Sequence, residues 1–415
     1  MPHAERHGNH ETILNKRRVI ILCFNVTPTP RQWNTFRLFE NIGEAPGFVV
    51  WDRLPGSLGM PDQKAVLATV HLRAPTESAR LLLAMPRYWR ALSRIIREET
   101  RSASRPPILV ATHLFQLPLV WRFTRASWFY DSAEYYAWDV SRYFGPLGSV
   151  TWPLLRWLEG LALRPMRGIF AVDSRGGWFE TQLRRFNDSV RVVPNLPALA
   201  DDGPWKSRIG PEGKTGRRVI CYVGGLLERK GIGVALQALV LLKPHFPNLT
   251  LLLVGPGWTP ALTERMNGLG LTDQVEISPP LSYREMLARI AGAEIGLALH
   301  QPESPLYKKV GALNGRKIFT YMQTGMAILA PRFGEIGRAV VETDCGVLVD
   351  TASPEAVAQV LGELLAEPDR LSRFRRHARQ AFEEIYNWER AASEIRPWLQ
   401  QCLKDGSEAH EVKHE

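Results

Sequence analysis

The sequence predicts an α/β protein built from two doubly wound parallel sheets, and three observations predict it. Short β-rich segments alternate with longer segments whose apolar residues recur every three or four positions. A segment rich in Pro, Gly and Asp, 196–216, interrupts this alternation once, and the alternation then starts again. The chain has 415 residues, which suits two domains of roughly 200 residues each.

The individual elements follow from these patterns. Strands are predicted in the first half at 18–24, 47–51, 108–112, 127–131, 168–173 and 190–194, with helices at 32–42, 77–100, 152–163 and 176–186. Strands are predicted in the second half at 219–223, 251–254, 275–277, 295–299, 327–330 and 347–349, again separated by helices. Two successive doubly wound units result.

These elements define the predicted domain organisation. A flexible N-terminus, 1–16, precedes a first domain over 17–195, and the segment 196–216 is the linker. The second domain covers 217–387. It is followed by a C-terminal helix over 388–403 and a polar tail, 404–415, that we predict to be disordered.

Composition narrows the class of protein. With 45% hydrophobic and 23% charged residues, the chain is typical of globular proteins and unlike fibrous or disordered ones. Its four cysteines lie far apart without a CxxC pair, which predicts reduced thiols and no metal site. No segment has the roughly 18 apolar residues that cross a bilayer, so a cytoplasmic location is predicted.

Charge and tryptophan are concentrated in the first half. Residues 1–200 contain 26 Lys and Arg against 16 Asp and Glu, and hold nine of the 13 tryptophans. The helical segment 81–96, with its arginines, therefore predicts binding to an anionic membrane surface. The alternative is a helix packed on the sheet with a solvated basic face. Nucleic acid is not predicted as a partner, because the chain has no recognisable nucleic-acid motif.

A glycine-rich turn in the second half predicts a phosphate site. The segment 222–231, YVGGLLERKG, ends a strand and opens a helix, where backbone N–H groups can meet phosphate. Gly224, Gly225 and Gly231, with Gly255 at the next strand end, allow close backbone approach, while Arg229 and Lys230 supply cations for a diphosphate. The alternative is a helix-start turn with solvated charges.

Several further motifs follow the glycine-rich turn. They are LVGPG at 253–257, KIFTYM at 317–322, FGEI at 333–336 and CGVLVD at 345–350. In order and spacing this half resembles the nucleotide-sugar-binding domain of family-four, retaining GT-B glycosyltransferases. PRQW at 30–33, YDSAE at 130–134 and VPN at 193–195 extend the resemblance to the first half.

The resemblance implies a GT-B fold, in which two Rossmann-like domains face each other across a cleft. It implies a UDP- or GDP-type sugar donor in the second domain, a glycan or lipid-linked acceptor in the first, and transfer with retention without metal or cofactor. The C-terminal helix crosses back to the first domain in such enzymes. The implied role is biosynthesis of a cell-surface polysaccharide or glycolipid.

The implied site residues are of two kinds. Near the reacting sugar we predict His113, Asp131 and Lys230; donor binding is assigned to Gly224, Gly225, Arg229, Lys230, Gly255, Glu303, Lys317 and Thr320. For His113 and Glu303, the alternative interpretation is an ordinary loop residue without a role in binding. For Asp131 and Glu134, the alternative is that they cap the next helix.

The sequence departs from the family pattern at the ribose end of the donor site. Thr320 stands where the family has a glutamate that accepts hydrogen bonds from the donor ribose, and Ala312 stands where a second glutamate can occur. A threonine hydroxyl binds a ribose hydroxyl more weakly than a carboxylate does. The rival hypothesis is therefore a non-catalytic GT-B relative, a binding or scaffold subunit of a glycan assembly system. An epimerase or phosphorylase is disfavoured, because the residues that such enzymes need are missing.

Overall fold

The structure, a computed structural model, describes residues 16–53, 63–75, 78–101, 103, 105–172, 177–208, 217–301 and 316–411. They form two compact units. The first contains the residues up to Pro194 and those from Ala392 onward, and the second contains Asn195–Ala391. None of the helices in these ranges is both long and apolar enough to span a bilayer.

The first unit is a parallel seven-stranded sheet. Its strands are β1 (Arg18–Leu22), β2 (Ala45–Asp52), β3 (Val66–His71), β4 (Ile108–Ala111), β5 (Ser127–Ser132), β6 (Gly168–Ala171) and β7 (Val190–Val192), in the order β3-β2-β1-β4-β5-β6-β7. The central strands are buried on both faces, and their sequences are therefore almost continuously apolar.

Helices flank this sheet. They are α1 (Pro30–Asn41), α2 (Met85–Thr100), α3 (Tyr136–Ser141), α4 (Gly148–Leu163) and α5 (Trp178–Arg184), and short 3-10 turns include Ala79–Ala84 and Leu114–Trp121. Helix α1 begins in a capping box, in which the Thr29 side chain and the Gln32 side chain each accept from the other's backbone N–H. This cap fixes the turn between β1 and α1.

The second unit is a parallel six-stranded sheet. Its strands are β8 (Arg218–Val223), β9 (Leu249–Val254), β10 (Val275–Ser278), β11 (Ile295–Leu297), β12 (Ala327–Pro331) and β13 (Gly346–Val349), in the order β10-β9-β8-β11-β12-β13. Its helices are α6 (Ile232–Leu242), α7 (Pro260–Gly268), α8 (Tyr283–Ile290), α9 (Lys317–Gln323), α10 (Gly334–Glu342), α11 (Pro354–Ala366) and α12 (Pro368–Glu384). Helix α13 (Trp388–Glu411) ends the described chain, and the boundary between the units falls within it.

The predicted α/β class with two Rossmann-like parallel sheets is confirmed. In each sheet the strand order reverses once, between β1 and β4 in the first unit and between β8 and β11 in the second. Ligands of open parallel sheets bind beside such a reversal, at the carboxyl ends of the strands. Each unit therefore has one position where a ligand site is expected.

The structure differs from the predicted elements in several places. The last helix continues to Glu411, into the tail that was predicted to be disordered, and α3 was not predicted. Strand β3 was not predicted, because a short apolar segment such as Val66–His71 can be part of a helix or of an edge strand. The helix predicted at 77–100 is divided into the turn Ala79–Ala84 and α2, since Pro86 cannot continue a preceding helical ladder. The predicted linker begins inside the second unit, where Leu196 and Trp205 are buried.

Candidate functional site

Two glycine-containing loops meet at the carboxyl ends of β8 and β9. The N–H of Gly224 donates to the carbonyl of Val254 at 2.9 Å, and that of Leu226 donates to the carbonyl of Pro256 at 2.7 Å. Gly255 has φ +144°, and a side chain there would collide with the carbonyl oxygen of Gly224. Glycine is required here because of both the backbone conformation and the contact between the loops.

The first loop leads directly into α6. Gly231 adopts φ +82° as the residue before this helix, and a Cβ atom there would collide with the Leu299 carbonyl after β11. Lys230, in the short turn Glu228–Lys230, is therefore held beside the point where the order of the strands reverses. Backbone and cation thus lie where the sequence predicted a phosphate site.

Lys317 approaches the same loop from α9. Its Nζ lies 3.9 Å from the centre of the Tyr222 ring, and a Cβ atom on Gly224 would lie 3.7 Å from that nitrogen. Burial and the charge of Lys230 hold the pKa of Lys317 well below its usual value. None of the described carboxylates is within ion-pair distance of Lys317. A bound anion would stabilise its charged form.

His300 follows β11 and lies near the two lysines. It is 2% exposed, its backbone N–H donates to the Ala298 carbonyl, and its own carbonyl accepts from the Thr351 hydroxyl. Burial, followed by the charges of Lys317 and Lys230, lowers its pKa well below the usual value. His300 is therefore neutral, and the cationic charge of this region resides on the lysines.

Thr320 lies one turn after Lys317 in α9 and contacts Tyr283 at the start of α8. It is 2% exposed, and its hydroxyl is 3.4 Å from the hydroxyl of Tyr283. The Tyr283 hydroxyl donates to the Gln323 side chain at 2.8 Å, and the amide of Gln323 donates to Asp202 at 3.2 Å. The Thr320 hydroxyl is thus part of an internal polar chain.

Arg316, immediately before α9, is a residue that the sequence interpretation missed. Its guanidinium stacks over the Tyr283 ring, with the central carbon 4.1 Å from the ring centre. Burial raises the pKa of Tyr283, and the charge of Arg316 opposes that rise. The sequence feature that could have identified Arg316 is its spacing of four residues from Thr320, which places both residues on one face of a helical turn.

In the first unit, Asp131 at the end of β5 is held in a buried ion pair. Arg31 Nε donates to its carboxylate at 2.6 Å and the Thr35 hydroxyl donates at 3.0 Å, while Asp131 itself is 1% exposed. Arg31 also donates to the Val193 carbonyl. This arrangement joins α1 to the ends of β5 and β7.

His113 follows β4 and packs in an aromatic cluster. Its ring stacks on Phe24 with centroids 3.8 Å apart, and its Nδ1 accepts the Phe115 N–H as a helix cap. Burial and the charge of Arg53 lower its pKa to about 3, so the ring is neutral at physiological pH. A neutral His113 can accept or donate a hydrogen bond, but it carries no positive charge.

The predicted site residues therefore divide into groups. The loops bring together Gly224, Gly225, Gly255, Lys230 and Lys317, and Thr320 lies on the same helix as Lys317. His113 and Asp131 belong to the first unit. The Arg229 side chain and Glu303 lie outside the described residues. Functional roles for all of them stay predictions.

Known proteins resemble the chain in two ways. Residues 205–381 match the family model "Glycosyl transferases group 1". A D-inositol 3-phosphate glycosyltransferase of Corynebacterium urealyticum is 28% identical over 186 residues, which cover 43% of this chain and 42% of that protein. The match thus spans less than half of that relative.

Solved structures extend the likeness in fold to nearly the whole chain. A sucrose-phosphate synthase from Thermosynechococcus elongatus has a TM-score of 0.67 and 14% identity, covering 94% of this chain and 100% of that one. Anabaena HepE in complex with UDP and glucose has a TM-score of 0.66 and 13% identity, covering 93% and 100%. The similarity establishes a fold of the GT-B type.

Proposed function

We propose that the protein is a glycosyltransferase that moves a sugar from a nucleoside diphosphate to a glycan or lipid-linked acceptor. The main support is the pair of lysines beside two touching glycine loops at the strand-order reversal of the second unit. Burial and the charge of Lys230 lower the pKa of Lys317, and an anion bound beside the two lysines would offset that cost. A diphosphate is such an anion, and it is also the leaving group of the reaction.

The chemistry follows from this position. The bond between the anomeric carbon and the diphosphate oxygen breaks, and a bond from the acceptor oxygen to the anomeric carbon forms. The acceptor proton moves to the departing diphosphate, whose charge Lys230 and Lys317 would stabilise as it develops. Retention without a metal ion is part of the proposal, because it accompanies the resemblance described above.

Calorimetry tests the donor site directly. The wild-type protein, titrated with UDP, GDP and their common sugars, is expected to bind one nucleotide series, and Lys230→Ala should weaken that binding by about tenfold or more. Lys243→Ala is the matched control, since Lys243 is an exposed lysine at the end of α6 that donates to the Gly270 carbonyl. Absence of nucleotide binding would remove the proposal.

Turnover separates the enzyme from the scaffold alternative. With the bound nucleotide sugar and a mixture of glycan and lipid-linked acceptors, an enzyme releases nucleoside diphosphate, and NMR of the product gives its anomeric configuration. An inverted product would refute retention, and loss of activity in EDTA would refute metal independence. Nucleotide binding without turnover would favour a scaffold subunit.

We also propose that the protein works at an anionic membrane surface, through α4 rather than through α2. Helix α2 buries Tyr88, Leu92 and Ile96. This favours the alternative interpretation, in which the helix packs on the sheet and its basic face is solvated. Helix α4 instead exposes one apolar face, with Val150 72% and Trp157 55% exposed; the other members of the face are Leu154 and Leu158, preceded by Leu147. Such a continuous apolar face is typical of interaction sites.

Charge favours an anionic bilayer as the partner of the α4 face. Throughout 141–165, all of it described, the exposed charged side chains are Arg142 and Arg164, while Glu159 is buried. Apolar and Trp side chains flanked by arginines suit the interface of an anionic bilayer. A lipid-linked acceptor would be reached from that surface.

Vesicle flotation tests the α4 face. The protein should bind vesicles that contain phosphatidylglycerol and be released by salt, and the double variant Leu154→Ser, Trp157→Ser should not bind. Leu241→Ser, an exposed leucine of the second unit, is the control. Absence of binding at low salt, or equal binding by the double variant, would contradict the proposal. Self-association that depends on these residues would identify a second copy as the partner.

A further inference from the structure

The second unit contains a guanidinium whose binding edge has no hydrogen-bond partner in the part of the chain that the structure describes. Nε and Nη2 of Arg316 are shielded from solvent, and neither has a hydrogen-bond partner among the described residues. These two nitrogens lie on the same edge of the guanidinium. That edge binds carboxylate and phosphate in a bidentate manner, and a shielded donor without a partner is unfavourable.

The position of Arg316 is fixed despite the unused edge. Its stacking on Tyr283 at 4.1 Å orients the plane of the guanidinium. The Tyr283 hydroxyl is itself held by Gln323 at 2.8 Å. The ring that supports Arg316 is therefore anchored, and it holds the plane of the guanidinium in one orientation.

The location of Arg316 relates it to the donor site. The next residue, Lys317, contacts the glycine loop through the Tyr222 ring, and the Thr320 N–H, one turn later, donates to the Arg316 carbonyl at 3.0 Å. Thr320 and Arg316 both contact Tyr283. A carboxylate at position 320 would accept hydrogen bonds from neutral hydroxyls, whereas Arg316 donates hydrogen bonds and attracts negative charge.

We propose that Arg316 binds an oxyanion of the ligand, and that it replaces the missing carboxylate as the anchor at this end of the site. The inference rests on the proposed function for the identity of the ligand as a nucleotide sugar. The oxyanion comes from one of two sources, a phosphate of the nucleotide or the carboxylate of an acidic sugar. Because the two nitrogens are shielded, binding requires local rearrangement around Arg316.

Calorimetry with matched ligands distinguishes the two sources. The ligands are UDP, GDP, UDP-glucose and UDP-glucuronate, and the variants are Arg316→Lys and Arg316→Gln. Arg316→Lys keeps the charge but loses the bidentate edge, and we expect it to weaken binding about tenfold or more. If the source is a phosphate, every nucleotide is affected alike; if it is the sugar carboxylate, only UDP-glucuronate is affected. Arg284→Lys, an exposed arginine beside Tyr283, is the control.

Thermal unfolding separates this role from a structural one. Because the binding edge forms no hydrogen bond with a described residue, Arg316→Gln loses only the stacking on Tyr283 and should lower the Tm of the free protein little. Inorganic pyrophosphate or glucuronate should raise the Tm of wild type more than that of the variant. A large loss of Tm with unchanged ligand affinity would overturn the inference. The inference would also be overturned if Arg316→Lys and Arg316→Gln bind every ligand with wild-type affinity while Lys230→Ala binds none.

The outcomes also separate the inference from the proposed function. If wild type binds no nucleotide but pyrophosphate or glucuronate still stabilises it through Arg316, the proposed function fails and the oxyanion site stands. If nucleotides bind through Lys230 and are indifferent to Arg316, the proposed function stands and the inference fails. If the binding of nucleotides and the binding of free oxyanions are both independent of Arg316, the inference fails whether or not the proposed function stands.

Discussion

Polar side chains at the strand ends of the two units are used in opposite ways. In the first unit, Asp131 is neutralised by Arg31 and hydrogen-bonded by Thr35, and the His113 ring packs on Phe24. In the second unit, Lys317 lies beside the glycine loops, and the like charge of Lys230 lowers its pKa. A polar residue at a strand end is thus a strong ligand candidate only when the protein leaves its binding capacity unused.

The largest expected effect lies in the buried ion pair of the first unit. Arg31→Ala leaves the Asp131 carboxylate buried without its cation, which should lower the free energy of unfolding by about 3–5 kcal/mol. Urea denaturation measures this loss. Arg94→Ala removes a surface ion pair with Glu98 and should cost about 0.5 kcal/mol or less. A loss for Arg31→Ala as small as that of the control would show that Asp131 is not held structurally.

In the second unit, removing a like charge should weaken ligand binding without destabilising the fold. Lys317→Met removes a cation whose charged form is unfavourable in the free protein, so the free energy of unfolding should not fall. Nucleotide affinity should fall by about 1.5–3 kcal/mol, the range for hydrogen bonds to charged groups. Loss of stability with unchanged affinity would make Lys317 structural, like Asp131.

The lowered pKa of Lys317 also predicts proton uptake. In the free protein Lys317 loses its proton below its ordinary pKa of 10.5, and a bound diphosphate should raise that pKa again. Binding near or above the lowered pKa should therefore take up a proton, which calorimetry in buffers of different ionisation enthalpy detects. Lys317→Met should abolish the uptake. Uptake of equal size in that variant would assign it to another group.

The next effect concerns pH and the first unit. His113 has a folded-state pKa of about 3 against 6.5 when unfolded, so the unfolded state binds the extra proton between these values. Stability is therefore lost as the pH falls through this window, by about 2 kcal/mol between pH 7 and pH 5. His113→Asn can still cap the turn but does not titrate. Its pH dependence over this range should be smaller by that amount, as measured by urea denaturation at both values.

The smallest effect is expected at Thr320. Its hydroxyl has one long contact, at 3.4 Å to Tyr283, so Thr320→Val should change the free energy of unfolding by about 1 kcal/mol or less. Nucleotide affinity should also change little if Arg316 is the anchor at this end. A tenfold loss of affinity would instead make the Thr320 hydroxyl a direct ligand contact.

Much of the fold could be predicted because its signals are local. Apolar strand segments predicted twelve of the thirteen strands found in the described residues. The exception, β3, has mostly half-buried side chains and no distinctive length. The glycine loop was predictable since a strand end with φ-positive positions and a following helix can be recognised from residue types alone. The break in the predicted helix 77–100 was also signalled locally, by Pro86.

The amino-acid sequence alone determined the α/β class, the two sheets and the position of the cationic glycine loops, because each depends on residues close together in the chain. Tertiary structure decided how each polar group is used. Arg31 and Asp131 are 100 residues apart, and Thr320 meets Tyr283 across 37 residues. It also decided that α2 buries its apolar stripe while α4 exposes one. Pairing, burial and exposure depend on contacts between distant segments, and these exist only once the chain has folded.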